Sequence, residues 1–232
     1  MPNMQSTEPI LDKYDEPSEI IESSIEARKR LLYGFGGQDC VDKKKFKESL
    51  APTMLTMSLT GEPTLYPKIS EIVEEGEKRD MISFLVTNGS MPKAIENMRK
   101  LPWQLYVTLP SPNKETFIKT CRPKSPESWE NIIKTLEIFP SLDCRKVVRM
   151  TLTKDLNMKS PEKYAQLIKK TECNFIELKS YSWVGFSRKR LDETNVPTMD
   201  DMRAFAKQIA EKTGYEIADE DEPSKVLMLK PA

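Results

Sequence analysis

Histidine is absent from the 232 residues. That excludes an imidazole general base, a Ser-His-Asp triad and histidine metal ligation, so acid–base or covalent chemistry falls to carboxylates, lysine, tyrosine or cysteine. Cysteine is scarce: Cys40, Cys121, Cys144 and Cys173 lie far apart, with no CxxC pair. This spacing argues against a thiolate metal or redox motif and for a reducing compartment, the cytosol. No apolar run approaches the roughly 18–20 residues of a membrane span. The start, "MPNMQSTEPILDKYDEP", lacks the basic-then-apolar order of a secretory signal. There is no excess of either charge, since 36 basic residues balance 36 acidic ones. The total therefore neither requires nor excludes a local face for nucleic acid. Phosphate loops of the GxGxxG or GxxxxGK(S/T) kind follow none of the expected strands, which weakens a nucleotide-fold reading.

About 38% of residues are hydrophobic, enough for a core in one large domain or two small ones. Residues 1–50 read as a leader followed by helices. In "YDEPSEIIESSIEARKRLLYGFGG", Asp15 or Glu16 can cap, Pro17 suits a first helical position, and Gly34, Gly36 and Gly37 end the helix. "VDKKKFKESL" reads as a short basic helix. Residues 51–232 read as βα units of one domain. Strands "TMLTMSL", "MISFLV", "WQLYVTL", "RKVVRMTLT" and "NFIELKSY" alternate with helices over 66–80, 91–100, 113–120, 126–139, 161–170 and 198–213. "SKVLMLK" reads as a last edge element. The pattern predicts a parallel α/β sheet, either open or a partial barrel, because five βα units are too few for eight-fold closure.

Active sites of such sheets lie at the carboxyl ends of the strands, and these ends are polar: "TGEPT", "TNG", "TLPSPN", then Arg149, Thr151, Thr153 and Lys154, then Glu177, Lys179, Tyr181 and "VGFSRKR". Glu62 stands out. Gly61 and Pro63 shape the backbone on either side, so the carboxylate can accept a directed hydrogen bond from an amine. Equally, it can serve the N-terminal dipole of the helix over 66–80. Lys179 can form a Schiff base if desolvated, or an ion pair with Glu177 two residues away. The basic loop Ser187, Arg188, Lys189 and Arg190 can hold phosphates, or be solvated. The cysteines read most simply as small buried hydrophobes.

The set "SLTGEPTLYP", "FLVTNGS", "QLYVTL", "RPKSPESWENIIKTLEIF", "VVRMTLTKDLNM" and "FIELKSYSWVGFSRKRL" resembles the radical S-adenosylmethionine domain of the tRNA 4-demethylwyosine synthase family, from about residue 13 to 230. The resemblance implies a partial (β/α)6 TIM-like barrel. It implies S-adenosylmethionine and a [4Fe–4S] cluster as cofactors. The implied reaction is a radical condensation of pyruvate carbons with N1-methylguanosine of phenylalanine tRNA in the wybutosine pathway. Thr60, Gly61 and Glu62 then match the motif that binds the cofactor's amino group. Asn88 and Thr108 line the pocket, Arg149 and Thr151 meet the cofactor's carboxylate or ribose, and Glu177 belongs to the same cofactor set. Lys179 and Tyr181 become the catalytic candidates, and Ser187 to Arg190 the tRNA contacts. Members often carry aspartate or another small residue near Pro110. The family's cluster is held by CxxxCxxC after the first barrel strand. No such triplet occurs here, so this chain is expected to lack metal ligands and the barrel its first strand, leaving the Glu62 strand at an open edge. Two other readings compete: a non-catalytic tRNA- or protein-binding derivative, and a Schiff-base barrel using Lys179.

Overall fold

A computed structural model describes residues 13–59 and 61–232. Two helices, α1 (Pro17–Leu32) and α2 (Lys43–Ser49), come first. Then follow β1 (Met54–Met57), α3 (Ile69–Glu77), β2 (Ile82–Thr87), α4 (Pro92–Glu96), β3 (Gln104–Thr108), α5 (Lys114–Cys121) and α6 (Ser128–Ile138). The chain ends with β4 (Arg145–Leu152), α7 (Pro161–Ile168), β5 (Phe175–Ser180), α8 (Met199–Thr213), β6 (Tyr215–Asp221) and β7 (Val226–Pro231). One seven-stranded sheet runs in the order β1-β2-β3-β4-β5-β7-β6. β1 to β5 are parallel, while β7 is antiparallel to both β5 and β6. Among the described residues no pairing joins β1 to β6, so the sheet is a partial barrel.

Strand alternation sorts side chains to two faces. Leu85, Leu105, Val107, Val148, Met150, Leu152, Ile176 and Leu178 are fully buried on the helix-covered face. They pack against Ile95, Phe117, Ile132, Leu136, Tyr164, Ile168, Met202, Phe205 and Ile209 from the helices. Burying each such side chain stabilises the fold by about 1.5–3 kcal/mol. The opposite, open face carries Tyr106, Thr108, Arg149, Thr151, Glu177 and Lys179, at positions that alternate with the buried ones.

Several sequence expectations change. In the apolar "TMLTMSL" strand Met54 is 62% exposed, because β1 pairs with β2 alone among the described residues. The strand does lie at an open edge, as expected. Glu16 occupies the α1 cap position without a capping hydrogen bond; its carboxylate takes Lys68 Nζ at 2.6 Å. The helix expected over 66–80 starts at Ile69, after a 3-10 turn at Pro63–Leu65. The helix over 91–100 stops at Glu96, and Arg99 N–H goes to Ser70 Oγ (3.1 Å) rather than continuing the helix. "SKVLMLK" is not the edge, since β6 pairs outside it. β6 was hidden by its composition: "YEIADED" is acidic and mostly exposed, with only Tyr215 and Ile217 marking a strand alternation.

The loops at the carboxyl end are tied together. Lys154 N–H donates to Asn195 O (3.0 Å), and Lys154 Nζ pairs with Asp201 Oδ2 at 2.5 Å. Asp201 also closes the capping box of α8 with Thr198. The Lys154 hydrogen bond, then that of Thr198, pull the Asp201 carboxyl down to about 2. A depressed carboxyl contributes stability fully above its unfolded value, near 3.9, and loses it as pH falls through about 2. Asp201→Asn is therefore expected to flatten the dependence of the urea midpoint on pH between about pH 4 and 2. An unchanged slope in that window would contradict the assignment.

Candidate active site

The turn that carries Glu62 is built by backbone conformation. Leu59 and Gly61 have φ of +89° and +85°. Only glycine takes that region without steric cost, and at Leu59 the side chain is 97% exposed. Pro63 opens the 3-10 turn, where its missing N–H costs nothing. Glu62 is then directed back under the sheet's end and is 6% exposed. Oε1 accepts from Thr64 N (3.1 Å), Thr64 Oγ1 (2.6 Å) and Thr87 Oγ1 (2.6 Å), while Oε2 accepts from Asn88 N (2.8 Å). Glu62 thus caps the turn at 63–65 rather than the longer helix, and it joins the ends of β1 and β2. An ionised carboxylate offers about four lone-pair sites. Three donors crowd Oε1, so the remaining capacity is on Oε2. No cation pairs with Glu62 among the described residues, and a buried charge is costly without one.

The other strand ends assemble as follows. Asn88 Oδ1 accepts from Ser90 N (2.8 Å), closing the "TNGS" turn. Gly89 has φ +72°, and a Cβ there would stand 3.0 Å from Val107 Cγ1. Asn88 and Thr108 both line a cavity of about 90 Å³. Thr108, Arg149 and Glu177 are in register across β3, β4 and β5, and Thr151 stands opposite Lys179. Arg149 Nε lies 2.6 Å from Glu177 Oε1, yet Oε1 is buried with no partner in hydrogen-bond geometry. The pair is an ion contact without hydrogen-bond geometry. The Arg149 guanidinium also sits 5.8 Å from the centre of the Tyr106 ring. Burial, then the Glu177 carboxylate, raise the Tyr106 phenol above its ordinary value. Glu177 therefore belongs to Arg149 rather than to Lys179, which has no ion pair among the described residues. Thr60 lies outside the described residues.

Of the basic loop, Ser187 is half-buried and its hydroxyl is engaged: it accepts from Tyr181 Oη (2.7 Å) and donates to Val184 O (2.5 Å). Tyr181 thereby acts as a pin for the loop. Arg188 donates from Nε to Trp183 O (3.0 Å) and stacks on the Trp183 ring. Lys189 and Arg190 are exposed. Three residues escaped the sequence reading of the site. Thr87 was quoted in a motif without a role. Tyr106 was hidden inside an apolar strand. Asn157 stands in an ordinary "KDLNM" loop, yet it is 1% exposed. It accepts from Thr153 N and donates to Pro110 O and Thr151 O, which locks the ends of β3 and β4. The proline at 110 therefore contributes a backbone carbonyl, and no side-chain hydrogen bond, at that position.

A separate cleft of about 770 Å³ opens at the amino ends of the strands, beside Ile82, Trp103, Arg145 and Asn174. Its size does not make it the reactive site, because the polar strand ends and Glu62 lie at the other end of the sheet. Among the described residues no group of three or more Cys, Asp or Glu side chains could hold a metal ion. Cys40 is exposed rather than buried, Cys121 and Cys144 are intermediate, and Cys173 is buried. Burial raises the Cys144 thiol to about 11 and also raises Cys173. With Ellman's reagent Cys40 is expected to react first, Cys144 more slowly because its thiol is raised, and Cys173 only after unfolding. Fast native labelling of Cys173, read by mass spectrometry, would contradict this burial.

The Radical SAM superfamily model matches residues 44–168, and the model for wyosine base formation matches 170–230. The S-adenosyl-L-methionine-dependent tRNA 4-demethylwyosine synthase of Pyrococcus horikoshii is 46% identical, over 99% of this chain and 68% of its own length. That of Methanocaldococcus jannaschii is 36% identical, over 94% and 69%. The human enzyme of the same name is 31% identical over 94% of this chain but only 30% of its own length. Among solved structures, TYW1 with a lysine–pyruvate adduct bound superposes with a TM-score of 0.87 at 34% identity, covering 97% of this chain and 72% of that one. Archaeal TYW1 superposes at 0.82 and 32% identity, over 99% and 74%. This chain spans about two thirds of the archaeal relatives and about a third of the human one.

Proposed function

The chain belongs to the family of S-adenosyl-L-methionine-dependent tRNA 4-demethylwyosine synthases, radical S-adenosylmethionine enzymes of tRNA modification in the wybutosine pathway, and we propose that it carries the cofactor- and RNA-binding part of that activity. One observation carries the reading: a buried Glu62 carboxylate, held by four protein donors and paired with no cation among the described residues, at the carboxyl mouth of the sheet. A ligand ammonium supplies the missing charge. Glu62, with Gly61 and Thr60 beside it, holds the amino group of S-adenosylmethionine through Oε2. Asn88 and Thr108 flank the cofactor. Glu177, whose Oε1 is set against Arg149, accepts from a ribose hydroxyl through its other oxygen, and Arg149, Thr151 and Lys179 face the carboxylates of cofactor and pyruvate. Lys189 and Arg190 meet phosphates of phenylalanine tRNA, while Ser187 and Arg188 shape their loop. Pyruvate as carbon donor, N1-methylguanosine as acceptor and a cytoplasmic setting follow from the family resemblance. No helix is long and apolar enough to cross a membrane among the described residues.

The fit differs for the two cofactors. Residues here suit S-adenosylmethionine, which supplies a 5′-deoxyadenosyl radical in this family. The described cysteines do not suit a [4Fe–4S] cluster, which needs clustered thiolates, so no radical step is assigned to residues of this chain. Equilibrium dialysis of the whole chain against labelled S-adenosylmethionine tests the reading. One saturable site is expected, and uptake no greater than that of serum albumin would overturn it. The charge arrangement at the loop favours RNA over a purely structural role. Filter binding with phenylalanine tRNA is therefore expected to weaken steeply as salt rises, by about 0.7–0.9 in log–log slope for each phosphate neutralised.

A further inference from the structure

We propose that Phe186 is a base-stacking platform for one unpaired nucleotide of a single-stranded RNA loop, with Lys189 and Arg190 on the flanking phosphates. The inference rests on the RNA-substrate reading above. Phe186 is 57% exposed. A lone exposed phenylalanine is ordinary, but this one is presented by a loop that is tied at several points. It sits in the 3-10 turn Gly185–Lys189. Trp183 Nε1 donates to Leu191 O (2.8 Å), Arg188 Nε to Trp183 O (3.0 Å), and Tyr181 Oη to Ser187 Oγ (2.7 Å). Tyr181 directly follows β5, so the turn is anchored to the sheet at the same end as Lys179 and Glu62. The loop that presents the ring is held in place before any ligand arrives, which limits the entropy lost on binding.

The ring's surroundings favour a nucleobase. Lys189 Nζ stands 5.1 Å from its centre, so a cation lies over the ring, while 57% of the residue is open to solvent. Unpaired bases stack on aromatic faces, and a nearby cation adds to the attraction. From Ser182 to Leu191 the loop carries three basic residues and no acidic one, with Asp192 and Glu193 following, and this basic run suits a phosphate backbone. All three cations are exposed; Arg188 is tied to Trp183, which leaves Lys189 and Arg190 without a side-chain hydrogen bond or ion pair among the described residues. One loop therefore holds both elements that single-stranded RNA recognition uses, a stacking face and phosphate contacts.

The test uses the whole chain and a stem-loop RNA with the anticodon-loop sequence of phenylalanine tRNA, carrying 2-aminopurine at one loop position at a time. Fluorescence quenching at one position is expected on binding. Phe186→Ala is expected to abolish that quenching and weaken affinity about tenfold, with the salt slope unchanged. Phe186→Trp is expected to retain both. Lys189→Ala is expected to lower the salt slope by nearly one and keep the quenching. If Phe186→Ala binds and quenches like the parent chain, the stacking role is wrong while the RNA reading stands. If the parent chain shows no salt-dependent RNA binding, the RNA reading fails and the stacking role with it. Phe186 is exposed, so folding is expected to survive either substitution, and the Phe186→Trp variant checks this directly.

Discussion

Glu62→Ala is expected to lower the unfolding free energy by about 3 kcal/mol and to remove S-adenosylmethionine binding. The stability effect follows from the four donors that converge on the carboxylate: Thr64 N, Thr64 Oγ1, Thr87 Oγ1 and Asn88 N. Alanine leaves them facing a cavity at a site that is 6% exposed. The two hydroxyls can turn to other acceptors, while the two amides cannot, and an unsatisfied buried group costs about 1–3 kcal/mol. Glu62→Gln separates stability from function. It keeps the shape and one acceptor oxygen, so less stability is lost, while the charge that attracts an ammonium is gone. Urea unfolding and ligand binding on the same three proteins read both effects. A Glu62→Ala chain as stable as the parent would show that the carboxylate is not the tie between β1 and β2.

The second large effect concerns Arg149 and Glu177. Their side chains are 26% and 18% exposed, so water screens the pair in part, and the full cost of a stranded buried charge does not apply. Arg149→Met is expected to destabilise the chain by about 2 kcal/mol, because Glu177 loses its only ion-pair partner among the described residues. Glu177→Leu is expected to cost less, since the Arg149 guanidinium keeps its place over Tyr106. The double variant is expected to be more stable than Arg149→Met alone, because replacing a partly buried pair by apolar residues is often close to neutral. A double-mutant cycle read by urea unfolding measures the coupling. Strictly additive single effects would show that the 2.6 Å contact contributes nothing.

Much of this was legible in the sequence because it followed from local rules. The five parallel strands stood out because Leu105, Val148 and Ile176 fall within short apolar runs bounded by turn residues. Glu62 stood out because glycine and proline flank it. Partnerships across the sheet were not legible. Glu177 stands two residues from Lys179 in sequence, yet the parallel register places Arg149 beside it. Asn157 carried no motif, and its role depends on two strand ends meeting in space. β6 was missed because an exposed, acidic edge strand lacks an apolar alternation. Ser187 read as a tRNA contact, while its hydroxyl is engaged by Tyr181 and Val184.

The central claim is that Glu62 is the amine anchor for S-adenosylmethionine. Calorimetric titration of the parent chain and of Glu62→Gln, each with S-adenosylmethionine and with its analogue lacking the amino group, tests it most directly. The account predicts that the parent chain prefers the natural cofactor by at least about 30-fold, roughly 2 kcal/mol for a buried charged hydrogen bond. It predicts that Glu62→Gln binds the two ligands alike. Equal preference for the amine in both proteins would contradict the account.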